Sequence, residues 1–437
     1  MLSKQQPTLL QHFLPHKSLA DTIVTSPEDA YSAFHSQLLA SHIITDSWVD
    51  GRERFAIAPH ILLQEEYHAL NMAAERLGEA MNEAAEYIWN SPELLDSYFM
   101  LTESQKRMWF SSGGCWHVIA RFDLFVLPDG TIRMCEVNAD TPSGEAEAVL
   151  LNRIVSEKHP EFLNPNQHFE DTFYHYVREM ALFTSGTFAA VGIIYPTDMP
   201  EDLSMVLLYK QLFEKHGHTV ILGSPYNIRR ASNGKLSLFG SEIDVLLRHY
   251  KTDWWGEREQ IWLDAEEFPD PDPIEPQLTR VLRAGSEGHT TIINPFGAVV
   301  VQNKCMMAFL HDYKHHFSTE TQDVINEYIP ETRRMVDVDT KQLIREEWVL
   351  KSVFGCEGDE VLIGRTMSDE QWNLALDLAI DRHWILQKYF EPRRSDGRIA
   401  NYGVYLLAGN AAGIFTRLSP GATDLHSLSA ATLVDMQ

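Results

Sequence analysis

Two segments, ARFDLFVL and TIRMCEVNADTP, flank Pro128-Asp129-Gly130 and constrain the fold of this chain more than any other feature. They read as a β-hairpin with Arg121, Asp123, Glu136 and Asn138 at alternate positions. Period-2 geometry sets Arg121 and Asp123 on one face of the first strand, and Glu136 and Asn138 on one face of the second. With Asp129-Gly130 as a two-residue turn, Pro128 faces Thr131, Asp123 faces Glu136 and Arg121 faces Asn138. The same register places Phe122 opposite Val137, Leu124 opposite Cys135 and Phe125 opposite Met134. A slip of one residue would scatter the polar groups over both faces. Two facing carboxylates repel unless a proton or cation lies between them. An oxygen set of Asp, Glu and an Asn amide suits Mg²⁺, which also keeps waters and phosphate oxygens. The hairpin therefore reads as a platform for magnesium and a nucleotide.

The bulk properties narrow the rest. A chain of 437 residues is long enough for two or three domains with well-buried cores. With 62 acidic against 36 basic residues, the formal charge of −26 argues against a nucleic-acid backbone or an anionic membrane as partner. No apolar run approaches the roughly 18 residues of a membrane span, and no signal peptide is evident at the start. Cys115, Cys135, Cys305 and Cys356 are widely spaced without a CxxC, which points to reduced thiols and a cytoplasmic setting.

Residues from about 26 to 110 read as helical. Ser26-Pro27-Glu28-Asp29 and Ser91-Pro92-Glu93 have the cap-then-proline form of helix starts, and the run after Pro59 keeps apolar residues three and four apart up to Trp89. After the hairpin, Thr141-Pro142-Ser143-Gly144-Glu145 opens a helix whose free N–H groups are suited to an anion. FAAVGIIY and HTVILGSP flank an amphipathic helix between Pro200 and His216, the pattern of a parallel βαβ unit, but no GxGxxG follows the first strand. IDVLLRHY reads as a further strand, and the Pro- and acid-rich segment 264–277 as an exposed connection. AVVVQNKCMMAFLHDY reads as a strand running into a helix, and WVLKSVFGCEGDEVLIGR as two strands around a glycine turn.

Lys351 precedes Gly355 and Gly358 in that last segment. Two glycines in a short loop let backbone approach phosphates, and a lysine at its base supplies a point charge, although a glycine turn between strands is more often only a turn. There is no GxxxxGK[ST]. His311, His315 and His316 in HDYKHH are better explained as a polar helix face than as zinc ligands. Trp254 and Trp255 fit either a pocket wall or packing, and Cys356 has no nearby histidine to activate it.

The order of these parts resembles the circularly permuted ATP-grasp enzymes of the glutathionylspermidine synthase family. The resemblance is carried by RFD at Arg121–Asp123, EVNADTP at Glu136–Pro142, NPFGAVVVQNK at Asn294–Lys304, WVLKSVFGCEG at Trp348–Gly358, ILQKYFEP at Ile385–Pro392 and GIFTRLS at Gly413–Ser419. It implies an α+β architecture: a helical N-terminal region (1–110), a metal-binding part (111–180), a βαβ, pre-ATP-grasp-like substrate-side subdomain (181–295) and a nucleotide-binding part with a glycine-rich lid (296–437). It implies Asp123, Glu136 and Asn138 as magnesium ligands, and Arg121 and Arg417 as catalytic arginines at the transferred phosphate and the reacting carboxylate. Lys304, Lys351, Gly355, Gly358 and Gln387 would bind ATP. The implied reaction is ATP- and Mg²⁺-dependent amide formation between a small-molecule or peptide carboxylate and an amine, including a polyamine, through an acyl phosphate.

The chain departs from the family in two places. Members commonly read K-P-x-x-G-R-E-G where this chain has Lys351-Ser352-Val353-Phe354-Gly355-Cys356-Glu357-Gly358, and SGEAEA after EVNADTP is unusual. With no cysteine before Cys115, the amidase domain of bifunctional members is not expected. The altered lid leaves open a second reading, an ATP-binding protein of this fold that has lost ligase activity and acts as a binding or regulatory module. A phosphotransferase on the same platform is a third.

Overall fold

The structure, a computed structural model, describes residues 27–197, 202–255, 274–353, 361–379 and 384–437. Helix α1 (Pro27–Leu39) starts at the expected proline. The long periodic run then divides: His60–Leu63 forms strand β1, and only Gln64–Trp89 forms helix α2. HILL is drawn out of the helix because it pairs in parallel with Thr432–Asp435, near the opposite end of the chain. Helix α2 keeps Glu65 and Glu66 in its first turn, where they complement the helix dipole, and buries Leu70, Ala73, Leu77, Met81, Ala84 and Ile88 at three- and four-residue intervals. The second proline start yields a single turn, Leu94–Ser97.

Strands β2 (Ile119–Val126) and β3 (Ile132–Asn138) form the expected hairpin, with a different turn. Gly130 N–H donates to Leu127 O at 2.9 Å, Leu127 N–H to Thr131 O at 2.8 Å, and Asp129 Oδ1 accepts from Thr131 N–H at 3.0 Å. Pro128 suits the second position of such a turn, and Gly130 takes φ = 85°, so the loop has three residues rather than two. Leu124 therefore faces Met134 and Phe125 faces Arg133, correcting the expected pairs there. A bulge at Cys135 then restores the register, so that Asp123 faces Glu136, Phe122 faces Val137 and Arg121 faces Asn138.

The loop after β3 leads into helix α3 (Glu145–Ser156). Next come β4 (Ala190–Ile194), α4 (Leu203–Lys215) and β5 (Thr219–Gly223), with β4 and β5 parallel as the βαβ pattern requires. Strand β6 (Val245–Arg248), helix α5 (Glu275–Ser286) and β7 (Thr291–Ile293) complete a parallel sheet of order β7-β6-β4-β5. The chain reverses its direction across the sheet at β4, and the carboxyl ends of such strands are where α/β folds present ligand-binding groups.

Ala298–Val301, expected as a strand, is a helical turn followed by helix α6 (Cys305–Asp312). All four of its residues are buried, and an apolar run that short has no periodicity to separate strand from buried helix. A small antiparallel sheet follows, built from β8 (Thr332–Arg334), β9 (Trp348–Ser352), β10 (Val361–Ile363) and, after helix α7 (Asp369–Ala379), β11 (Trp384–Lys388) in the order β8-β11-β9-β10. Trp348, Leu350 and Leu386 pack with Trp372 and Leu376 of α7 in a separate core. Alternation along the strands turns Lys351 and Gln387 to the opposite face.

Strands β12 (Arg398–Leu407), β13 (Asn410–Ser419) and β14 (Leu428–Ala430) join the hairpin, with the short strand Arg394–Ser395 paired to β12, in a six-stranded sheet with β2 between β12 and β3, while β15 (Thr432–Asp435) is the partner of β1. Phe122, Leu124, Val404 and Leu406 share the core that contains α2. Arg121 and Asp123 lie on the other face by the same alternation.

Candidate functional site

Strand β2 is buried along its whole length, so its two charged residues need partners. Arg121 supplies both sides of one answer: its Nε donates to Asp123 Oδ1 at 2.7 Å and its Nη2 to Asp123 Oδ2 at 3.1 Å. Arg417, on β13, donates to Asp123 Oδ2 at 2.8 Å. Gly403 lies opposite Asp123 on β12, and a Cβ there would come within 2.6 Å of Arg121 Cδ; glycine at this place is what admits the arginine. The remaining Nη1 of Arg121 donates to Ser143 O at 2.7 Å, which also accepts from Tyr405 Oη–H at 2.8 Å.

Glu136 faces this cluster and is 24% exposed, with Lys304 Nζ 3.4 Å from its Oε2. Burial works against its charge, but Lys304, Lys351, Arg121 and Arg417 together hold the carboxyl down at about 2. It is therefore ionised at any ordinary pH. Asn138 stands opposite Arg121, and its Nδ2 is buried with no partner among the described residues.

The small sheet supplies the other side. Lys351 is 3% exposed, and its Nζ donates to Gln387 Oε1 at 2.8 Å and to Cys135 O at 3.2 Å, with Cys135 Sγ at 3.3 Å. The Cys135 carbonyl is that of the bulge residue, which has no ladder partner across the hairpin. Burial raises the Cys135 thiol pKa, with Lys351 opposing, so the sulfur is a neutral neighbour. Among the described residues no carboxylate lies within ion-pair distance of Lys351. Gln387 Nε2 in turn donates to Thr332 Oγ1 and Met307 Sδ, both at 3.3 Å.

The structure thus gathers Arg121, Asp123, Glu136, Asn138, Lys304, Lys351, Gln387 and Arg417 into one largely buried cluster where the two sheets meet. Gly355, Gly358 and Cys356 lie outside the described residues. Lys304 is 6% exposed rather than on the surface, and Trp254 and Trp255 are both buried, with Trp255 packed edge-on to Phe296. His311 meets the carbonyl of Pro330 at 2.9 Å, and among the described residues no group of three or more His, Cys, Asp or Glu is arranged to hold a metal. The start of α3 already carries two acids of its own. Glu147 pairs with Arg54 at 2.5 Å, and Glu145 is 1% exposed with neither carboxyl oxygen well hydrogen-bonded. Burial pushes Glu145 up to about 8, with Glu147 adding to the shift and Arg121 opposing it. An external anion at that helix start would meet these carboxyl groups.

Sequence reading missed a set of supports behind the cluster. Arg248 and Asp140 form an ion pair at 2.6 Å with both side chains at most 1% exposed, and the guanidinium lies 4.2 Å from the Phe296 ring centroid. Asn294 Oδ1 accepts from Val118 and Ile119 N–H at 2.9 and 3.0 Å, and its Nδ2 donates to Ile119 O and Ala139 O at 2.7 and 2.9 Å. These residues tie the carboxyl ends of β6 and β7 to the exit of the hairpin. A cavity of about 650 Å³ extends from the hairpin turn at Leu127 and Asp129 to the segment Lys388–Glu391, with His311 on its wall.

A carboxylate-bearing hairpin facing lysines, in a mixed α+β chain with a pre-ATP-grasp-like βαβ unit, places the protein in the ATP-grasp-like class. The chain matches the model of the glutathionylspermidine synthase preATP-grasp family over residues 50–425, and it belongs to that family. The family is one of ATP-dependent ligases. Among solved structures, a glutathione synthetase-like effector from Globodera pallida in its apo form aligns with a TM-score of 0.58 at 10% identity, covering 94% of this chain and 98% of that one. A putative gamma-glutamylcysteine synthetase from Methylobacillus flagellatus KT aligns with a TM-score of 0.46 at 14% identity, over 86% and 90% of the two chains. No curated protein sequence matches the chain. No described helix is long and apolar enough to cross a membrane.

Proposed function

We propose that this protein is an ADP-forming carboxylate–amine ligase that uses ATP and Mg²⁺ to make an amide bond through an acyl phosphate. The observation that carries this reading is Lys351: an ammonium buried to 3% exposure, held by neutral acceptors, beside a carboxylate kept ionised. A buried cation with no contacting anion among the described residues calls for an anionic ligand. The triphosphate of ATP fits, with Lys304 and Lys351 as its contacts.

The residues on the hairpin suit a magnesium ion shared with phosphate oxygens: an ionised Glu136, the Asp123 carboxylate and the Asn138 amide oxygen, with the unpartnered Asn138 Nδ2 left to donate to a phosphate oxygen. When bound there, Mg²⁺ would offset charge building on the transferred phosphoryl group. Helix α6 gives the nucleotide a direction. Lys304 precedes it, Met307 touches Gln387, and His311 reaches the 650 Å³ cavity about 10 Å further along, a span that suits phosphates at one end and the base at the other. Arg121 and Arg417 converge where charge would develop on the acyl phosphate, and Asp123 holds both in place.

Membership of the glutathionylspermidine synthase family favours a peptide or amino-acid carboxylate and an amine, polyamines included, as substrates. The test is an ATP-consumption screen of the full chain against amino acids, peptides and polyamines, with Glu136→Gln as control. Phosphate release that needs a carboxylate–amine pair and vanishes in the control is the expected result. Equal activity in the Glu136→Gln protein would refute the site, and nucleotide binding with no turnover on any pair would point to a binding module instead.

A further inference from the structure

Strand β3 leaves the ladder after Asn138, so the next peptides need partners elsewhere. Gln302 provides them: its Oε1 accepts from Ala139 N–H at 2.9 Å and from Asp140 N–H at 2.7 Å. Two residues further along its own chain is Lys304, whose Nζ lies 3.4 Å from Glu136. The backbone N–H of Lys304 donates to Val353 O at 3.0 Å, two residues beyond Lys351. Lys351 then returns to the hairpin through the Cys135 carbonyl at 3.2 Å. Segments 135–140, 302–304 and 351–353 are thereby joined in a closed ring, and Gln302 supplies the hydrogen bonds between the first and the second, beside the Lys304–Glu136 ion pair.

From this ring we infer that Gln302 is a positioning residue: it sets the distance between the metal-binding end of the hairpin, Glu136 and Asn138, and the phosphate-binding Lys304. The inference rests on the function proposed above. A side-chain carbonyl that accepts two successive N–H groups fixes both the height and the tilt of the peptides that follow Asn138. Asn294 holds the carbonyl side of the same segment, through Ala139 O at 2.9 Å and Asp140 O at 3.4 Å, so the segment stays anchored to the fold when Gln302 is changed. Loss of Gln302 would thus loosen the spacing between metal and phosphate sites more than the fold.

The test compares Gln302→Met, which removes the acceptor, with Gln302→Glu, which keeps an acceptor oxygen in the same place. Mn²⁺ affinity of the ADP-bound protein is read by electron paramagnetic resonance, ADP affinity without metal by calorimetry, and folding by thermal unfolding. Gln302→Met should weaken Mn²⁺ binding about tenfold or more. Metal-free ADP affinity and the melting temperature should stay close to wild type, and Gln302→Glu should recover most of the Mn²⁺ affinity. Should Gln302→Met fail to fold, Gln302→Asn, one methylene shorter, gives the same comparison. Wild-type Mn²⁺ affinity in the acceptor-free variant, or a parallel fall of both affinities and of stability, overturns the inference. If the wild-type protein itself binds no Mn²⁺ with ADP, the proposed function falls, and the inference with it.

Discussion

The two sides of the cluster treat charge in opposite ways. On the hairpin, Asp123 is gripped by Arg121 and Arg417, and Glu136 has Lys304 beside it. On the small sheet, Lys351 is equally buried but touches an amide oxygen, a backbone carbonyl and a thiol. A charge met by an opposite charge is already balanced before a ligand arrives. A charge met by dipoles alone keeps most of its attraction for a ligand.

Replacing Asp123 by Asn should have the largest effect on that contrast, because it leaves two guanidinium groups facing each other without their carboxylate. The expected loss is about 3–5 kcal/mol of stability in urea unfolding; a loss below about 1 kcal/mol would show that Asp123 does not hold the two arginines. Lys351→Met should do the reverse. Nucleotide affinity should fall about 100-fold by calorimetry, while stability changes far less than in Asp123→Asn, since Lys351 contacts no carboxylate among the described residues and is one of four cations that hold Glu136 ionised. A third carboxyl sharpens the comparison, for Glu145 is buried with no contacting cation among the described residues. Its folded pKa of about 8 lies above the ordinary value of 4.5, so its contribution to stability is complete below pH 4.5 and is lost as pH rises to about 8. Glu145→Gln should remove that slope and gain about 1–3 kcal/mol at pH 8, with little change at pH 4.5, in melting curves across pH. The smallest effect belongs to the turn that sets the register. Asp129→Ala loses the bond to Thr131 N–H and should cost about 0.5–1 kcal/mol with nucleotide affinity unchanged.

How far the sequence could be read depends on the range of the interaction concerned. Alternation placed Arg121, Asp123, Glu136 and Asn138 correctly because a strand's period is local. The central pairs came out right although the loop has three residues, since the Cys135 bulge cancels the difference, and neither feature leaves a period-2 trace. HILL was misread because its partner lies at Thr432–Asp435, and AVVV because four buried residues carry no period. Lys304, Gln387 and Arg417 were legible through family motifs rather than through spacing. Asn294, Gln302 and Arg248 were not legible as supports. They act by single bonds to backbone or to a carboxylate far away in sequence, and such bonds impose no pattern on neighbouring residues.

The parallel pairing of His60–Leu63 with Thr432–Asp435 bears on how the molecule is made. The strand that leads into α2 emerges from the ribosome about 370 residues ahead of its mate. Through that interval Ile61 and Leu62 lack their strand partner, so this corner stays open until Leu433 has been made, and a nascent chain stalled before Leu433 would display an unpaired strand to chaperones.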